Sequence, residues 1–243
     1  MPTRYYAAIA PLLTRLIETQ RDAIEQAADL IYPSLTADGV LHLFCSGHSS
    51  LVALEGFHRA GGLVPVNAIV APFLSPLVSP LLSGRLERVP GVAQALLDYF
   101  DVRRDETLLV VSHSGINAAA IDRALGARER GARVVALVAR AHGEAVPSRH
   151  PTGTRLADLA DVVIDTGGPP GDALVAFDGW AGRAGPASLV AGAVVLHSLT
   201  CLLVSRFLRD GREPPVYQSA NVPGGDEHNR RLEAAYRHRI TLL

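Results

Sequence analysis

The sequence predicts an α/β fold: a three-layer α-β-α sandwich built on a five-stranded parallel sheet, with a long N-terminal helix ahead of it. Three observations carry this. Five short, β-leaning apolar runs alternate with segments of helical spacing, the order that builds parallel sheets. The runs are apolar along most of their length, as strands buried on both faces are. An apolar run, a Ser/Gly loop and a helix start follow one another in that order twice, at 40–61 and 107–121.

Residues 4–32 place Ile9, Leu12, Leu13, Leu16, Ile17, Ile24, Ala27, Leu30 and Ile31 at helical spacing. Pro33 and Asp38-Gly39 end that helix and turn the chain into the first strand, LHLFC. A helix over LVALEGFHRAGG stops at Gly61-Gly62, and LVPVNAIV reads as the second strand. The stretch 71–91 holds four prolines and reads as loop; GVAQALLDYF reads as a short helix. TLLVV, from Thr107 to Val111, is the central strand and AAAIDRALGARERG the helix after it. RVVALVA is the fourth strand, HPTGTRLADLAD a loop with a short helix, and DVVID the fifth strand. Residues 166–186 read as a Gly/Pro-rich loop with a hairpin around Ala173–Phe177. A long apolar helix, the loop REPPVYQSANVPGG and a polar helix starting near Asp226 complete the chain.

The 48% hydrophobic share suffices for a large core, and a net charge of −1 suggests neither nucleic acid nor an anionic membrane as partner. Cys45 and Cys201 are too few and too far apart in context for a disulfide framework. The N-terminal residues lack a signal-peptide apolar core, so a cytoplasmic protein is expected. Ala187–Ser205 is 19 residues without a formal charge, long enough to span a membrane. It also carries His197, Thr200 and several serines, without a flanking aromatic belt. It is therefore read as a fully buried helix of a soluble dimer, and no membrane partner is expected.

The central strand is followed abruptly by Ser112, His113, Ser114 and Gly115, then Asn117 and the helix. The first turn of a helix has N–H groups without intrahelical partners and a partial positive charge, which together suit an anion. Serine hydroxyls add donors, and Gly115 allows close approach of the backbone. The loop has no Lys or Arg, so a phosphate would be held by neutral donors. The competing reading is a plain turn in which Ser or Asn caps the helix. The second copy, Ser46-Gly47-His48-Ser49-Ser50 after the first strand, favours two anion-binding turns facing one pocket.

These two units resemble the sugar isomerase (SIS) fold, a flavodoxin-like arrangement whose second phosphate loop reads Ser-x-Ser-Gly-x-(Ser/Thr). Here that is Ser112-His113-Ser114-Gly115-Ile116-Asn117, with Asn last. The fold's first loop is often Gly-x-Gly-x-Ser; here it is Cys45-Ser46-Gly47-His48-Ser49. The chain is also similar, through SGHSS, HRAGGLVPVN, SHSGIN, SRHPTG, GPPGDALV and SANVPGGDEHNRR, to an uncharacterised bacterial SIS family of about this length. The resemblance implies one SIS domain over 1–243, with 1–36 as a packing helix, 37–210 as the core and 211–243 as a C-terminal loop and helix. It implies a phosphorylated sugar as ligand and a homodimer or tetramer with its pocket near a subunit boundary. SIS domains include aldose–ketose isomerases, an etherase and sugar-phosphate sensors, so the resemblance leaves the reaction open.

Isomerising a sugar phosphate needs a base that moves a proton between C1 and C2, and an acid or base for ring opening. Glu55 has apolar neighbours Leu51, Leu54 and Phe57, so a desolvated carboxylate with raised pKa is expected there. In the phosphoheptose isomerase branch, which the chain resembles more distantly, a glutamate lies in the equivalent helix and a histidine in the last long helix. His197 matches that histidine's context. The bland alternatives are a partnered or solvent-facing Glu55 and a core His197 bonded to a carbonyl.

His228 and Glu227, after Gly224-Gly225, either reach a pocket or sit on a capped, solvated helix start. His48 and His113 are read as phosphate or sugar contacts. Ser148, Arg149 and His150 follow the fourth strand, at the carboxyl end where ligands bind in such sheets. Pro169-Pro170-Gly171-Asp172 reads as a turn. No ligand spacing for a metal occurs, and His142-Gly143-Glu144 is a lone pair, so no metal and no cofactor are expected. No G-x-G-x-x-G follows the first strand, which argues against dinucleotide binding. The primary expectation is a phosphosugar isomerase acting through an enediol(ate), with Glu55 as base and His197 or His228 assisting. A non-catalytic phosphosugar sensor is the main alternative, and a phosphosugar lyase or etherase a third.

Overall fold

The computed structural model describes residues 3–92 and 94–243. Helix α1 spans Thr3–Thr36 and leads into β1 (Leu41–Cys45), then α2 (Ser50–Gly56) and β2 (Val66–Ile69). Helices α3 (Pro80–Leu86) and α4 (Gln94–Tyr99) precede β3 (Thr107–Val111), and α5 (Ala118–Glu129) precedes β4 (Arg133–Val138). Short helices α6 (Arg140–Glu144) and α7 (Leu156–Leu159) lead to β5 (Val162–Asp165). A hairpin of β6 (Ala173–Phe177) and β7 (Trp180–Pro186) precedes α8 (Ser188–Arg209) and α9 (Gly225–Tyr236).

The five-stranded sheet is parallel throughout, in the order β2-β1-β3-β4-β5. Its strands alternate between two cores. Leu41, Leu43 and Cys45, with Leu109, Val111, Val135 and Leu137, face α1, α2 and α8. Phe44, Leu108, Val110, Val134 and Ala136 face the opposite layer, into which α4 contributes Leu97 and α5 contributes Ala119, Ala120 and Ala124. A third, smaller cluster joins Val40, Val64, Tyr217, Leu232 and Ile240, and so ties α9 and the C-terminal residues to the body. The C-terminal run is also pinned by Asn67, which donates to the Arg239 carbonyl at 2.9 Å and accepts from the Thr241 amide at 2.9 Å.

Five local expectations need correction. Helix α2 ends at Gly56, with Phe57 extended, and does not run on to Gly61-Gly62. Helix α1 runs through Pro33 to Thr36, because a proline in a last turn removes one hydrogen bond without stopping the chain's helical path. Strand β2 begins at Val66, not Leu63: Pro65 has no N–H for a ladder, and Leu63 instead bridges Val216 in antiparallel fashion. The proline-rich stretch is not all loop. Ser79 caps α3, its hydroxyl accepting from the Leu82 amide at 3.3 Å, and Pro80 occupies the first helical position, where its missing N–H costs nothing. Helix α4 starts at Gln94; Ala93, inside the expected helix, lies outside the described residues. The hairpin forms where expected, closed by Asp178-Gly179.

Helix α8 is not fully buried in this chain. About a third of its most apolar stretch is covered. Leu189, Val190, Cys201 and Leu208 lie exposed on it, and Leu51 and Leu54 of α2 are exposed as well. Among the described residues it is the one helix long and apolar enough to cross a membrane. Cys45 and Cys201 are both free.

Candidate functional site

The strand order reverses at β1, whose neighbours β2 and β3 follow it on opposite sides. A crevice opens at the carboxyl ends of the strands at such a switch point, and ligands bind there in open α/β sheets. Strands β1 and β3 pair in step, Leu41 opposite Thr107 and Cys45 opposite Val111. The next residues, Ser46 and Ser112, therefore start their two loops at the same height.

Each loop turns on one glycine in the left-handed region, Gly47 at φ +58° and Gly115 at φ +64°. In the first, Ser46 is extended and Gly47–Ser49 form one 3-10 turn into α2, where the Ser50 hydroxyl donates to the Gly47 carbonyl. In the second, the Ser112 amide donates to Leu137 at 3.0 Å, continuing the sheet. The Gly115 amide donates to the Ser112 hydroxyl at 3.2 Å, and the His113 carbonyl accepts from Ala139 at 2.8 Å. A Cβ at Gly115 would lie 3.3 Å from Val138 Cγ1.

Asn117 precedes α5 but makes no side-chain cap bond. Its amide group bridges instead. Nδ2 donates to Glu87 Oε1 at 2.9 Å, and Oδ1 accepts from Arg149 Nη1 at 2.9 Å. The Ser46 hydroxyl donates to the other oxygen of Glu87 at 2.9 Å. Glu87, at the end of α3, thus joins both loops, and its main-chain carbonyl also accepts from the Ala119 amide at 3.0 Å. Burial pushes the Glu87 carboxyl above the usual carboxylate range, against the hydrogen bond from Ser46 and the charges of Arg88 and Arg149.

The cleft between the loops has a volume of about 320 Å³, in the range of small-molecule sites. Ser46, Gly47, His48, Ser49, Ser112, His113, Ser114 and Asn117 all line it, and Gly115 does not. Glu87, His142, Asp172 and Ser188 line it too. A more apolar lobe of about 380 Å³ continues past His48 and His113 toward Leu51, Val111, Leu137 and Leu189. Asp172 fixes the start of α8, accepting from the Ser188 amide at 2.8 Å and its hydroxyl at 2.6 Å. His113 lies between Asp172, 3.6 Å away, and the His142 ring, with centroids 5.0 Å apart. Burial lowers the His113 pKa, so the imidazole is held neutral; Asp172 opposes this and His142 adds to it. Among the described residues neither of its ring nitrogens has a hydrogen-bond partner.

The remaining candidates divide. Glu55 and His197 do meet: His197 Nε2 lies 2.9 Å from Glu55 Oε1, and Arg59 pairs with the same oxygen. They meet on the α2/α8 face rather than at the loop cleft, beside a small cavity lined by Leu41, Gly62, Leu63 and Thr200. The expected desolvation is absent, since the Glu55 side chain is 32% exposed. Ser148 and His150 face away. Ser148 donates to the Thr154 carbonyl at 2.7 Å, and His150 Nε2 lies 3.0 Å from Asp122. Arg149, between them, is the residue of that segment that reaches the loops. His228 Nε2 donates to the Val216 carbonyl at 2.9 Å, and Glu227 is exposed at the start of α9, so this run serves local structure in one chain. Among the described residues no group of three His, Cys, Asp or Glu is placed to hold a metal ion.

Glu87, Asp172 and His142 are site residues the sequence did not reveal. The run Arg85-Leu86-Glu87-Arg88 falls in the proline-rich stretch that reads as loop, and Glu87's partners are 41 and 30 positions away. The two prolines before Asp172 pointed to a turn, which it also makes: its amide donates to the Pro169 carbonyl at 3.0 Å.

Comparison with known proteins bears on family and fold. The family model described as "SIS domain" matches residues 4–139. The chain is 34% identical to a UPF0309 protein of Shouchella clausii over 99% of this chain and 98% of that one. It is 37% identical to a UPF0309 protein of Caldanaerobacter subterraneus, over 98% of each. Among solved structures it is similar in fold to the phosphoheptose isomerase GmhA of Neisseria gonorrhoeae. That likeness has a TM-score of 0.56 at 18% identity and covers 82% of this chain and 95% of that one. It is also similar to the sugar isomerase domain of an RpiR transcription factor from Sphaerobacter thermophilus, with a TM-score of 0.51 at 16% identity. There the coverage is 98% of this chain and 97% of that one.

Proposed function

This chain belongs to the SIS domain family, and from that premise we propose that it binds a phosphorylated sugar in the cleft between its two Ser/Gly loops and isomerises it. The observation that carries the binding reading is the in-step start of the loops at Ser46 and Ser112, which turns two helix entries and their hydroxyls toward one cleft. The phosphate is placed on the Ser112–Asn117 loop and the start of α5, with the sugar extending toward His48 and His113. Arg149 supplies the cation through Asn117. The named relatives of like fold, a phosphoheptose isomerase and the sugar isomerase domain of a transcription factor, are in keeping with such a ligand.

For the reaction, the Glu55 carboxylate removes the proton from C2 or C1, and the enediol(ate) is reprotonated at the neighbouring carbon. His197, hydrogen-bonded to Glu55, sets its orientation and shares the proton. This chain contains no lysine, so a Schiff-base route has no side-chain amine to start it, whereas an enediol route needs only a base and an acid. In one chain the pair lies outside the loop cleft. The exposed apolar residues around it on α2 and α8 support a homo-oligomer in which it serves the cleft of a second copy. The second reading, a sensor without turnover, is favoured by the absence of Glu55 from the cleft lining of its own chain.

The test is proton exchange at the sugar carbons. The protein is placed in D₂O with a panel of aldose and ketose phosphates, and deuterium entering C1 or C2 is followed by NMR. Exchange that disappears in Glu55→Gln supports the isomerase. Binding without exchange for every sugar phosphate supports the sensor. Neither binding nor exchange removes the phosphosugar reading.

A further inference from the structure

The two loops carry the donors that an anionic sugar needs, and two of those donors are already taken. The Ser46 hydroxyl and the Asn117 amide each spend a hydrogen on a different oxygen of Glu87. Neither loop supplies this carboxylate; it is brought in from α3, in the crossover between β2 and β3. Its main chain is fixed by the Ala119 amide, and the following segment by the Gly91 amide, which donates to Asp122 on α5 at 2.7 Å. The backbone that carries the carboxylate is therefore fixed beside both loops.

An oxyanion that accepts from Ser46 or Asn117 strips Glu87 of its donors and places a second negative charge beside it. Two anions sharing one half-buried site do not both stay charged. The neutral carboxyl resolves the conflict, because it gains an O–H that can donate to the ligand oxygen it faces. We propose that Glu87 is the proton-bearing residue of the cleft: as a carboxylate it clasps the two empty loops, and on ligand binding it takes up a proton from solvent and becomes the acid facing the ligand's oxygens. This rests on the phosphosugar reading of the cleft and deepens it, since it supplies the acid that ring opening needs and that the Glu55–His197 pair, on another face, does not.

The charged groups around Glu87 set how far this goes. Arg88 on its own segment and Arg149 beyond Asn117 favour the carboxylate, while burial favours the acid. His48 in the first loop, His113 in the second, His142 on α6 and Asp172 at the start of the hairpin share the cleft. These groups are common to the wild type and a Glu87 variant, so the test is a difference between two proteins rather than one pH profile.

Inorganic sulfate, whose charge is constant from pH 5.5 to 8.5, is titrated calorimetrically in two buffers of different ionisation enthalpy. The wild type and Glu87→Gln are compared, the latter keeping the shape but unable to take up a proton. The wild type is expected to take up about one more proton per sulfate than the variant where Glu87 is ionised. Its affinity then falls about tenfold more steeply per pH unit. Ser46→Ala provides the second measurement, and decides alone if Glu87→Gln does not fold. It keeps the carboxyl but removes a donor, so more of Glu87 is protonated beforehand and proton uptake at pH 7 falls. Equal proton counts in all three proteins overturn the proposal while leaving anion binding in place. No binding of sulfate or of any hexose phosphate to the wild type overturns the cleft reading itself, and this proposal with it.

Discussion

His197 Nε2 stands 2.9 Å from Glu55 Oε1 and joins α8 to α2 across 142 positions of sequence. The pair is partly open to solvent, 41% and 32% exposed, and sits among the bare Leu51, Leu54, Leu189 and Val190. Under the proposed reaction, a base and its histidine that face outward from their own chain require a second copy to complete the site.

Mixing two inactive variants tests this. Glu55→Gln removes the base, and Ser114→Ala weakens the phosphate loop of the other site. Each alone is expected to lose isotope exchange by about 10²–10⁴-fold for Glu55→Gln and less for Ser114→Ala. Co-refolded together they regain activity if one chain's pair serves its neighbour's cleft. Leu189→Glu, which charges the apolar face, lowers the oligomer's sedimentation coefficient and abolishes exchange together. Exchange that persists in a monomer would place the base elsewhere.

Gly115→Ala probes the second loop. A left-handed φ of +64° costs an alanine on the order of 1 kcal/mol, and the new Cβ presses on Val138 at 3.3 Å. The expected outcome is a loss of about 1–3 kcal/mol in chemical denaturation, with a larger proportional loss in sugar-phosphate affinity as the Ser112 and Ser114 donors shift. An unchanged affinity would show that the loop does not hold the ligand.

Glu106 governs acid stability at the opposite end of the sheet. Its buried carboxylate accepts from the Val40 amide at 3.0 Å and the Arg103 amide at 2.9 Å, lies 2.9 Å from His42 Nε2, and pairs with Arg239. Burial alone would raise its pKa; the hydrogen bond and charge of His42 and the donors from Arg103 and Arg239 outweigh this and hold it at about 2. A carboxyl held below its ordinary 4.5 contributes stability that is present above pH 4.5 and lost as pH falls toward 2, on the order of 3 kcal/mol. Glu106→Gln should cost about 3 kcal/mol at pH 7, because it takes the buried carboxylate from His42 and from Arg239, which among the described residues keeps only Asp101, and should flatten the acid limb of a denaturation-versus-pH curve.

Arg123 carries the opposite expectation. It is fully buried on α5 with its guanidinium 4.8 Å from the Phe44 ring centroid, and none of its three side-chain nitrogens has a hydrogen-bond partner among the described residues. Burial pushes its pKa down to about 9, so below that pH the folded state carries the cost of an unpaired charge. Arg123→Met, similar in length and without charge, is expected to be neutral or to stabilise by about 1–3 kcal/mol in urea melts at pH 7. A marked loss of stability would mean that a buried water or anion satisfies the guanidinium.

The sheet and the two loops were legible because each rests on adjacent residues: an apolar run, then Ser, Gly and a helix start. Helix α3 was hidden by its prolines, although Ser79-Pro80 is itself a helix-start signal. The Glu55–His197 contact came from family resemblance, since no local pattern links residues on two helices that meet through the fold. Glu87 was illegible for the same reason, its donors lying in loops far along the chain. Which side of α8 its own chain leaves bare was not legible, because a sequence reports how apolar a helix is and not which side of it the chain covers.

The in-step pairing of β1 with β3 also makes the cleft a gauge of the native state. Its donors come from opposite strands of one ladder, with Glu87 arriving through the crossover between them, so no partly unfolded form that releases β3 retains the site. A ligand held there binds only the folded chain. At a hundred times its Kd it would raise the unfolding free energy by about 2.7 kcal/mol, so a shift in melting temperature across a library of sugar phosphates ranks ligands for this chain without any assay of turnover.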